Sequence, residues 1–343
     1  MRARHRPEGA TVPPRWLAAG LAALLLGGAT AQGAPVELRI AWTSVPAQLT
    51  PVLFRRSDLL DHAGKSYTVE HVHFSETAPV ERWLAAGEIE LAALSPTALG
   101  VAIENAGLED LRIVADGYQD GIGHTYSSEF MVRNDGPIWA VDDLKGKIAA
   151  IHAPGLASTA LRIMLSRRGL EDPRDYKTVV TPVPSMGAML EDGRIDLASL
   201  GAPFAQRLVE RGTARRLFDM RAAIGPSEGL VYVARAAFLD RNRAALEDFF
   251  EDYLRALRWF LDPAHREEAV ASIARFNHDA VGLYAGYLFS DGDYYRDRDA
   301  RPNLAALQAN LRLLRDQGLL SIDIDVRRYT DLSFVEAALG RLK

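Results

Sequence analysis

Five short stretches of this chain carry small, hydroxyl-bearing or aromatic residues of the kinds that hold a small polar ligand: Trp42-Thr43-Ser44, Ser75-Glu76-Thr77, Ser95-Pro96-Thr97, His152 to Thr159, and Gly201-Ala202-Pro203-Phe204. Amides and hydroxyls fix such a ligand, and aromatic faces such as Trp42 and Phe204 cover its organic part. The stretch His152-Ala-Pro-Gly155-Leu-Ala-Ser158-Thr159 reads as a strand-to-helix turn. There, unpaired amides and the positive end of the helix dipole favour a carboxylate, a sulfonate or a similar anion. Ser158 or Thr159 is expected to cap that helix. No Gly-Lys-Ser/Thr follows, which rules out a nucleotide phosphate loop.

Other chemistry finds less support. His71-Val-His73 puts two imidazoles on one strand face, but no third ligand stands nearby in sequence, so a surface or internally satisfied pair is expected rather than a metal site. The run Asp291-Gly-Asp293-Tyr-Tyr-Arg-Asp297-Arg-Asp299 has acids at the wrong spacing for a calcium loop, with arginines between them, and reads as a solvated loop. Gly-x-Ser-x-Gly, His-Glu-x-x-His and the dinucleotide glycine triplet are all missing from the sequence. With no cysteine among 343 residues, disulfides, thiolate metal sites and thiol nucleophiles are excluded. No cofactor and no metal are expected. A net charge of -5 speaks against nucleic acid as a partner, because phosphate binding needs a basic surface.

The elements that must position these loops follow an α/β pattern of short apolar runs alternating with helical periodicity. Strands are expected at 36–42, 66–74, 89–94, 111–116, 130–133, 147–151, 177–181, 195–200 and 230–234. After Gly229 the chain turns mostly helical, with an apolar stripe through Leu246, Phe249, Phe250, Tyr253, Leu254 and Leu257. Two segments repeat at an offset of 106: Leu84-x-x-Gly87-x-Ile89-Glu90-Leu91-Ala92-x-Leu94 and Leu190-x-x-Gly193-x-Ile195-Asp196-Leu197-Ala198-x-Leu200. Each reads as a helix end, a glycine stop, an acid and a buried strand, followed by a small Pro-bearing loop. A duplicated lobe with a cleft between the copies is the natural reading. Ligands of open α/β sheets lie beyond the carboxyl ends of the strands, where the five stretches fall. Tyr118, Tyr126 and Ser127 lie near the first expected passage between lobes, and Glu228 opens the segment after the second. All four join the candidate ligand contacts. Lobe 1 is expected to comprise 36–125 plus 228–343, and lobe 2 residues 126–227.

Residues 1–31 read as a leader. Arg2, Arg4, Arg6 and Arg15 precede an uncharged run from Trp16 to Ala31 that ends in Ala29-Thr-Ala31, the small-x-small pattern of a signal-peptidase site. Its removal takes the net charge from -5 to -8, so local geometry rather than the bulk field must attract an anion.

The run Asp142-Asp-Leu-Lys-Gly-Lys-Ile-Ala149 resembles the "DLKGKkva" signature of solute-binding proteins of the nitrate/sulfonate/taurine type (NMT1/THI5-like). The Gly155–Thr159 loop, Gly169-Leu170 and Pro182-Val-Pro184 follow in the family's order. Leu190-Glu-Asp-Gly-Arg-Ile-Asp-Leu-Ala198 resembles its "L-x-x-G-x-[IV]-D-A" element, with Pro203 at its "W-x-P"-like turn. The resemblance covers about Val36 to Val233. It implies a two-lobed type II periplasmic binding protein that closes on a small-molecule solute, serves an ABC importer by docking on its permease, and works as a monomer without cofactor. The chain departs from the pattern in Gly155-Leu-Ala-Ser158-Thr159, where some members carry a histidine, and at Gly201-Ala202, which replaces a tryptophan-like position. No single member's ligand is therefore carried over. Two other readings stay open: an enzyme on the same fold in pyrimidine, thiamine or quinone precursor metabolism, and a ligand-loaded sensor that docks on a membrane receptor. If the leader reading is right, N-terminal sequencing of the exported protein starts near Gln32; retention of Met1 contradicts it.

Overall fold

The repeated acid explains why the two halves fold alike. In the first copy the Glu90 carboxylate accepts from the Arg39 backbone N–H at 2.8 Å, while the Glu90 N–H donates to the Arg39 carbonyl at 3.0 Å. In the second copy Asp196 accepts from the Ile148 N–H at 2.9 Å and donates its own N–H to the Ile148 carbonyl at 2.8 Å. Each acid thus ties the approach to one strand onto the opening of its neighbour. The preceding glycines, Gly87 and Gly193, turn out of their helices at φ 70° and 69°, a conformation that favours glycine.

The computed structural model describes residues 34–342 apart from 75–77, 106, 126–127 and 153–154. Ten strands are present: β1 Val36–Trp42, β2 Tyr67–His73, β3 Leu91–Leu94, β4 Leu111–Asp120, β5 Ser128–Arg133, β6 Ile148–Ile151, β7 Lys177–Val180, β8 Leu197–Gly201, β9 Ala214–Asp219 and β10 Ser227–Arg235. They form two five-stranded sheets, ordered β2-β1-β3-β10-β4 and β7-β6-β8-β5-β9. In the first, β1 is parallel to β2 and β3, and β10 runs antiparallel between β3 and β4. The second repeats the plan, with β5 antiparallel between β8 and β9. Each sheet is the centre of one lobe.

The chain leaves the first sheet after Asp120, enters the second at Ser128, and returns between Asp219 and Ser227. The two crossings lie against each other. Gly121 has φ 72°, and a Cβ there would come within 3.1 Å of Arg221 Cβ and 3.3 Å of the Gly225 carbonyl oxygen.

Helices cover both faces of each sheet, so the strands are buried on both sides and read as apolar runs. On the first sheet, helix Arg243–Leu261 turns its apolar stripe onto Leu38, Ile40, Tyr67 and Tyr232. Helices Ala78–Ala86, Pro96–Asn105 and Leu304–Asp316 share the core of the opposite face with Leu94, Ile113 and Val233. None of the helices among the described residues is long and apolar enough to cross a membrane.

Three sequence expectations need correction. The run Asp291–Asp299 is no solvated loop: Asp293 and Arg296 are only 3% and 6% exposed. Its backbone pairs with the free edge of β4, Gln119 N–H to the Tyr295 carbonyl at 2.7 Å and Tyr295 N–H back at 3.1 Å. An edge strand needs such partners, and this segment supplies them. Secondly, β9 escaped notice because Arg215 and Arg216 interrupt its apolar pattern at the sheet edge. Thirdly, β4 runs on past Asp116 to Asp120 and carries Tyr118 with it.

Replacing Gly121 with alanine should cost about 1–2 kcal/mol, since an L-residue is forced into the left-handed region against Arg221. Urea unfolding measures it, and an unchanged midpoint would mean that the crossing does not need this backbone conformation.

Candidate functional site

Helix Leu156–Ser166 starts at Gly155, one turn earlier than its hydroxyl residues suggest. Ser158 is therefore not the cap but lies in the first turn. Its Oγ accepts from the Gly155 N–H and donates to the Gly155 carbonyl, both at 2.9 Å. Thr159 donates its backbone N–H to the Gly155 carbonyl at 3.0 Å. Its side chain is 0% exposed, and Oγ1 has no hydrogen-bond partner among the described residues. A buried hydroxyl left without a partner is costly.

The equivalent start in the first lobe is helix Pro96–Asn105. Ser95 Oγ accepts from the Ala98 N–H at 3.2 Å, and the Ser95 carbonyl takes the Leu99 N–H at 2.8 Å. Pro96 is buried at the first helical position, where its missing N–H costs nothing. Thr97 points to the other lobe: a Cβ on Gly155 would lie 3.5 Å from Thr97 Oγ1. Leu156, one residue on, packs against the cores of both lobes. Two helix N-termini from different lobes therefore meet at Thr97 and Gly155. The Ala98 and Gly155 N–H groups are held by Ser95 and Ser158, and the other first-turn amides have no carbonyl one turn earlier in their helices.

The remaining candidates fall around this junction to differing degrees. Trp42 ends β1, half-buried, with its ring 4.4 Å from His73 and 5.3 Å from Phe276. Thr43 donates its N–H to Gln48 Oε1 at 2.6 Å, and Ser44 is exposed. In the second lobe Pro203 precedes helix Phe204–Glu210, and Phe204 leans on the core below β8. Ala202 reaches across to the core of the first lobe. Two glycines of the first lobe face this same helix: a Cβ on Gly292 would meet Gln206 Nε2 at 2.6 Å, and one on Gly286 would meet Glu210 Oε1 at 3.4 Å. His152 is exposed. Glu76, Thr77, Tyr126 and Ser127 lie outside the described residues. His73 Nε2 stands 3.3 Å from the Thr43 carbonyl, whereas burial pushes the His71 imidazole down to about 4 and keeps it neutral. Cavities of about 270 Å³, beside Arg133 and Asp192, and about 370 Å³, beside Asn134 and Arg215, lie in the second lobe, and no candidate residue lines either.

Tyr118 and Glu228 belong to one further feature, which sequence reasoning did not resolve. The Tyr118 ring lies 4.3 Å from that of Tyr294, tilted by 45°, over the space left by Gly229, where any Cβ would collide with it. Glu228 is 0% exposed and turns into the first lobe. One carboxylate oxygen accepts from the Asn303 N–H at 2.7 Å. Asp116, 2% exposed, likewise takes the Asp297 N–H at 3.2 Å. The second oxygens, Asp116 Oδ1 and Glu228 Oε1, have no donor among the described residues. The two carboxyls lie close enough to hydrogen-bond when one of them is protonated. Burial, with the partner's charge adding to it on Glu228, raises both carboxyls, Asp116 to about 7 and Glu228 well above the ordinary range.

Comparison with known proteins places this geometry. A model of the NMT1-like family matches residues 31–274. The nitrate/nitrite binding protein NrtA of Synechococcus elongatus is 29% identical over 160 residues, 43% of this chain and 36% of that protein, so the chain aligns with only about a third of that relative. The periplasmic aliphatic sulphonate binding protein SsuA of Escherichia coli superposes with a TM-score of 0.69 at 20% identity, over 86% of this chain and 92% of that one. The desulfurization enzyme DSZB shares the fold as well, with a TM-score of 0.68 at 16% identity over 90% of this chain and 100% of that one. The type II binding-protein architecture is thus common to binding proteins and an enzyme.

The carboxyl pair makes stability depend on pH. In the unfolded chain both acids ionise near pH 4, whereas folded Asp116 holds its proton to about 7. The folded state then binds more protons, so stability is greatest below the unfolded value and declines as pH rises through the folded one, by up to about 1.4 kcal/mol per pH unit for one proton. Glu228→Gln removes one of the two raised carboxyls and should roughly halve the decline between about pH 5 and 7; urea unfolding across that range reads it, and an unaltered slope rules out a protonated Glu228 in the folded state.

Proposed function

The chain belongs to the NMT1-like family, and from that premise we propose that it is the solute-binding component of an ABC importer, taking one small organic anion, a sulfonate or carboxylate, between its lobes without chemical change. The observation that carries this reading is the meeting of two helix starts from different lobes at Thr97 and Gly155, with the buried, unpartnered Thr159 hydroxyl one turn behind. Amides and hydroxyls can hold an anionic head without a paired cation, since hydrogen bonds to an ionised acceptor contribute roughly 1.5–3 kcal/mol each. This suits a chain whose net charge is negative. Trp42 and Phe204 would flank the organic part, and Ser95, Pro96, Gly155, Ser158 and Pro203 would shape the turn around it.

Residues 36–125 with 228–343 form one lobe in this reading, residues 126–227 the other, and the paired crossings at Gly121 and Gly225 serve as the hinge. The leader sends the chain to the periplasm, where the closed form docks on its permease. The NrtA and SsuA matches, named for nitrate/nitrite and aliphatic sulphonates, support an anion but leave its identity open.

A thermal-shift screen of alkyl and aryl sulfonates, carboxylates, nitrate and neutral pyrimidines tests the reading, because a bound solute raises Tm by mass action. At least one organic anion should stabilise the protein and be recovered unaltered. Thr159→Val, which removes the hydroxyl at near-constant volume, should leave the solute-free Tm unchanged or higher yet weaken binding by about tenfold or more. Stabilisation by neutral compounds alone refutes the anion, and turnover of the bound compound refutes simple binding.

A further inference from the structure

A second group of chemically capable side chains lies at the opposite end of β2 from Trp42 and His73, about 20 Å away by the rise of a strand. His62 stands in the loop leading into β2, and Asp248 and Glu251 lie one turn apart on helix Arg243–Leu261. One ligand atom from each of the three falls within 4.8 Å of the other two. His62 Nδ1 is 3.7 Å from Asp248 Oδ2, and Nε2 is 3.3 Å from Glu251 Oε2.

What distinguishes this trio from an ordinary surface cluster is how each carboxylate is divided. The outer oxygens are already held: Asp248 Oδ1 by Arg341 at 2.7 Å, and Glu251 Oε1 by Arg255 at 2.7 Å. The inner oxygens, Oδ2 and Oε2, turn to the imidazole; the one guanidinium within 4 Å of either among the described residues is Arg341, 3.6 Å from Glu251 Oε2. The arginines therefore orient both carboxylates as outer partners orient metal ligands, leaving an inward oxygen on each. The histidine is fixed as well. The N–H groups of Asp61, His62 and Ala63 all donate to the fully buried Asp252 carboxylate, at 2.8, 2.9 and 3.2 Å. Nothing in the solute site accounts for this arrangement.

We propose that His62, Asp248 and Glu251 form a divalent transition-metal site, best suited to zinc, that pins the loop before β2 to helix Arg243–Leu261. One imidazole nitrogen and two carboxylate oxygens are a donor set that zinc takes at bonds of about 2.0–2.2 Å, with water completing the shell. Small side-chain movements close the present spacing to that range. The site is remote from the lobe junction, so it stabilises the first lobe and does not touch the solute.

Titration calorimetry of the untagged, chelator-treated mature chain with zinc chloride tests this. One equivalent should bind with a rise in Tm that excess chelator reverses, and His62→Ala should weaken binding about tenfold or more. Magnesium should not substitute, because it favours all-oxygen shells. The solute-induced thermal shift should be the same in His62→Ala as in the parent, which separates this proposal from the transport reading. Absence of saturable zinc binding overturns it, as does a His62→Ala variant that binds zinc like the parent; the trio would then be a histidine paired with two acids.

Discussion

In each lobe's sheet, the strand that follows a crossing between lobes is inserted between two others rather than added at an edge. β10 lies between β3 and β4, and β5, the first strand after the outward crossing, lies between β8 and β9, so in both sheets the strand that follows a crossing is second from the edge. The second sheet is built from one continuous segment, 128–219, whereas β3 and β4 of the first gain their shared partner only when the chain returns. The crossings are therefore held at both ends by ladder hydrogen bonds, and their position is set by the sheets they feed. Everything at the junction inherits its geometry from this exchange: the helix starts at Pro96 and Leu156, the pairing of Gly121 with Arg221 and Gly225, and the seating of Glu228 immediately after the return.

That topology also explains why the strongest internal electrostatics lie beside the return crossing. The Asn303 N–H reaches Glu228, the Asp297 N–H reaches Asp116, and the Gln119 N–H takes the Tyr295 carbonyl. Segment 291–303 thus closes the edge of β4 and clamps the first residues of β10. Its own anchor is the buried pair Asp293 and Arg296, with Arg296 donating to the Pro46 carbonyl at 2.8 Å. A buried ion pair adds little net stability, but losing one partner strands the other. Its contribution is positional: it connects the Thr43–Gln48 loop to the strap that carries Tyr294 beneath Tyr118.

The sequence made some of this legible. The 106-residue repeat was visible because its glycine and acid do one local job twice, ending a helix and pinning a neighbouring strand at Arg39 or Ile148. The loops after the strands were visible because apolar runs give way there to Ser, Thr, Pro and Gly. Features that depend on distant residues stayed hidden. Asp293 and Arg296 read as solvent-facing because nothing local shows that an edge strand lies against them. Glu228 was singled out, but its partner Asp116 sits 112 positions earlier on the neighbouring strand, opposite Val231 rather than Glu228, across two irregularities of the β10–β4 ladder that no local pattern shows. Ser158 looked like a cap because hydroxyls usually are; Gly155 took that place, and the serine reached back to it. His62 carried no signal, since its two acids come from a helix nearly two hundred residues away.

The contacts between the lobes differ in kind from those within them. Inside each lobe, closely packed apolar side chains resist any change of shape. Between lobes, Leu156 and Ala202 supply apolar contact, and other close approaches set a polar side chain against a glycine: Thr97 against Gly155, Gln206 against Gly292, Glu210 against Gly286. The polar approaches bury little apolar surface and add little stability by themselves. Under the proposed reading, a solute that touched both helix starts would bind a closed arrangement better than an open one, and only that difference in affinity could shift the balance. Of the three glycines only Gly292 excludes a Cβ, which would lie 2.6 Å from Gln206 Nε2; at Gly155 and Gly286 a Cβ would make ordinary contact, so those two approaches do not depend on glycine.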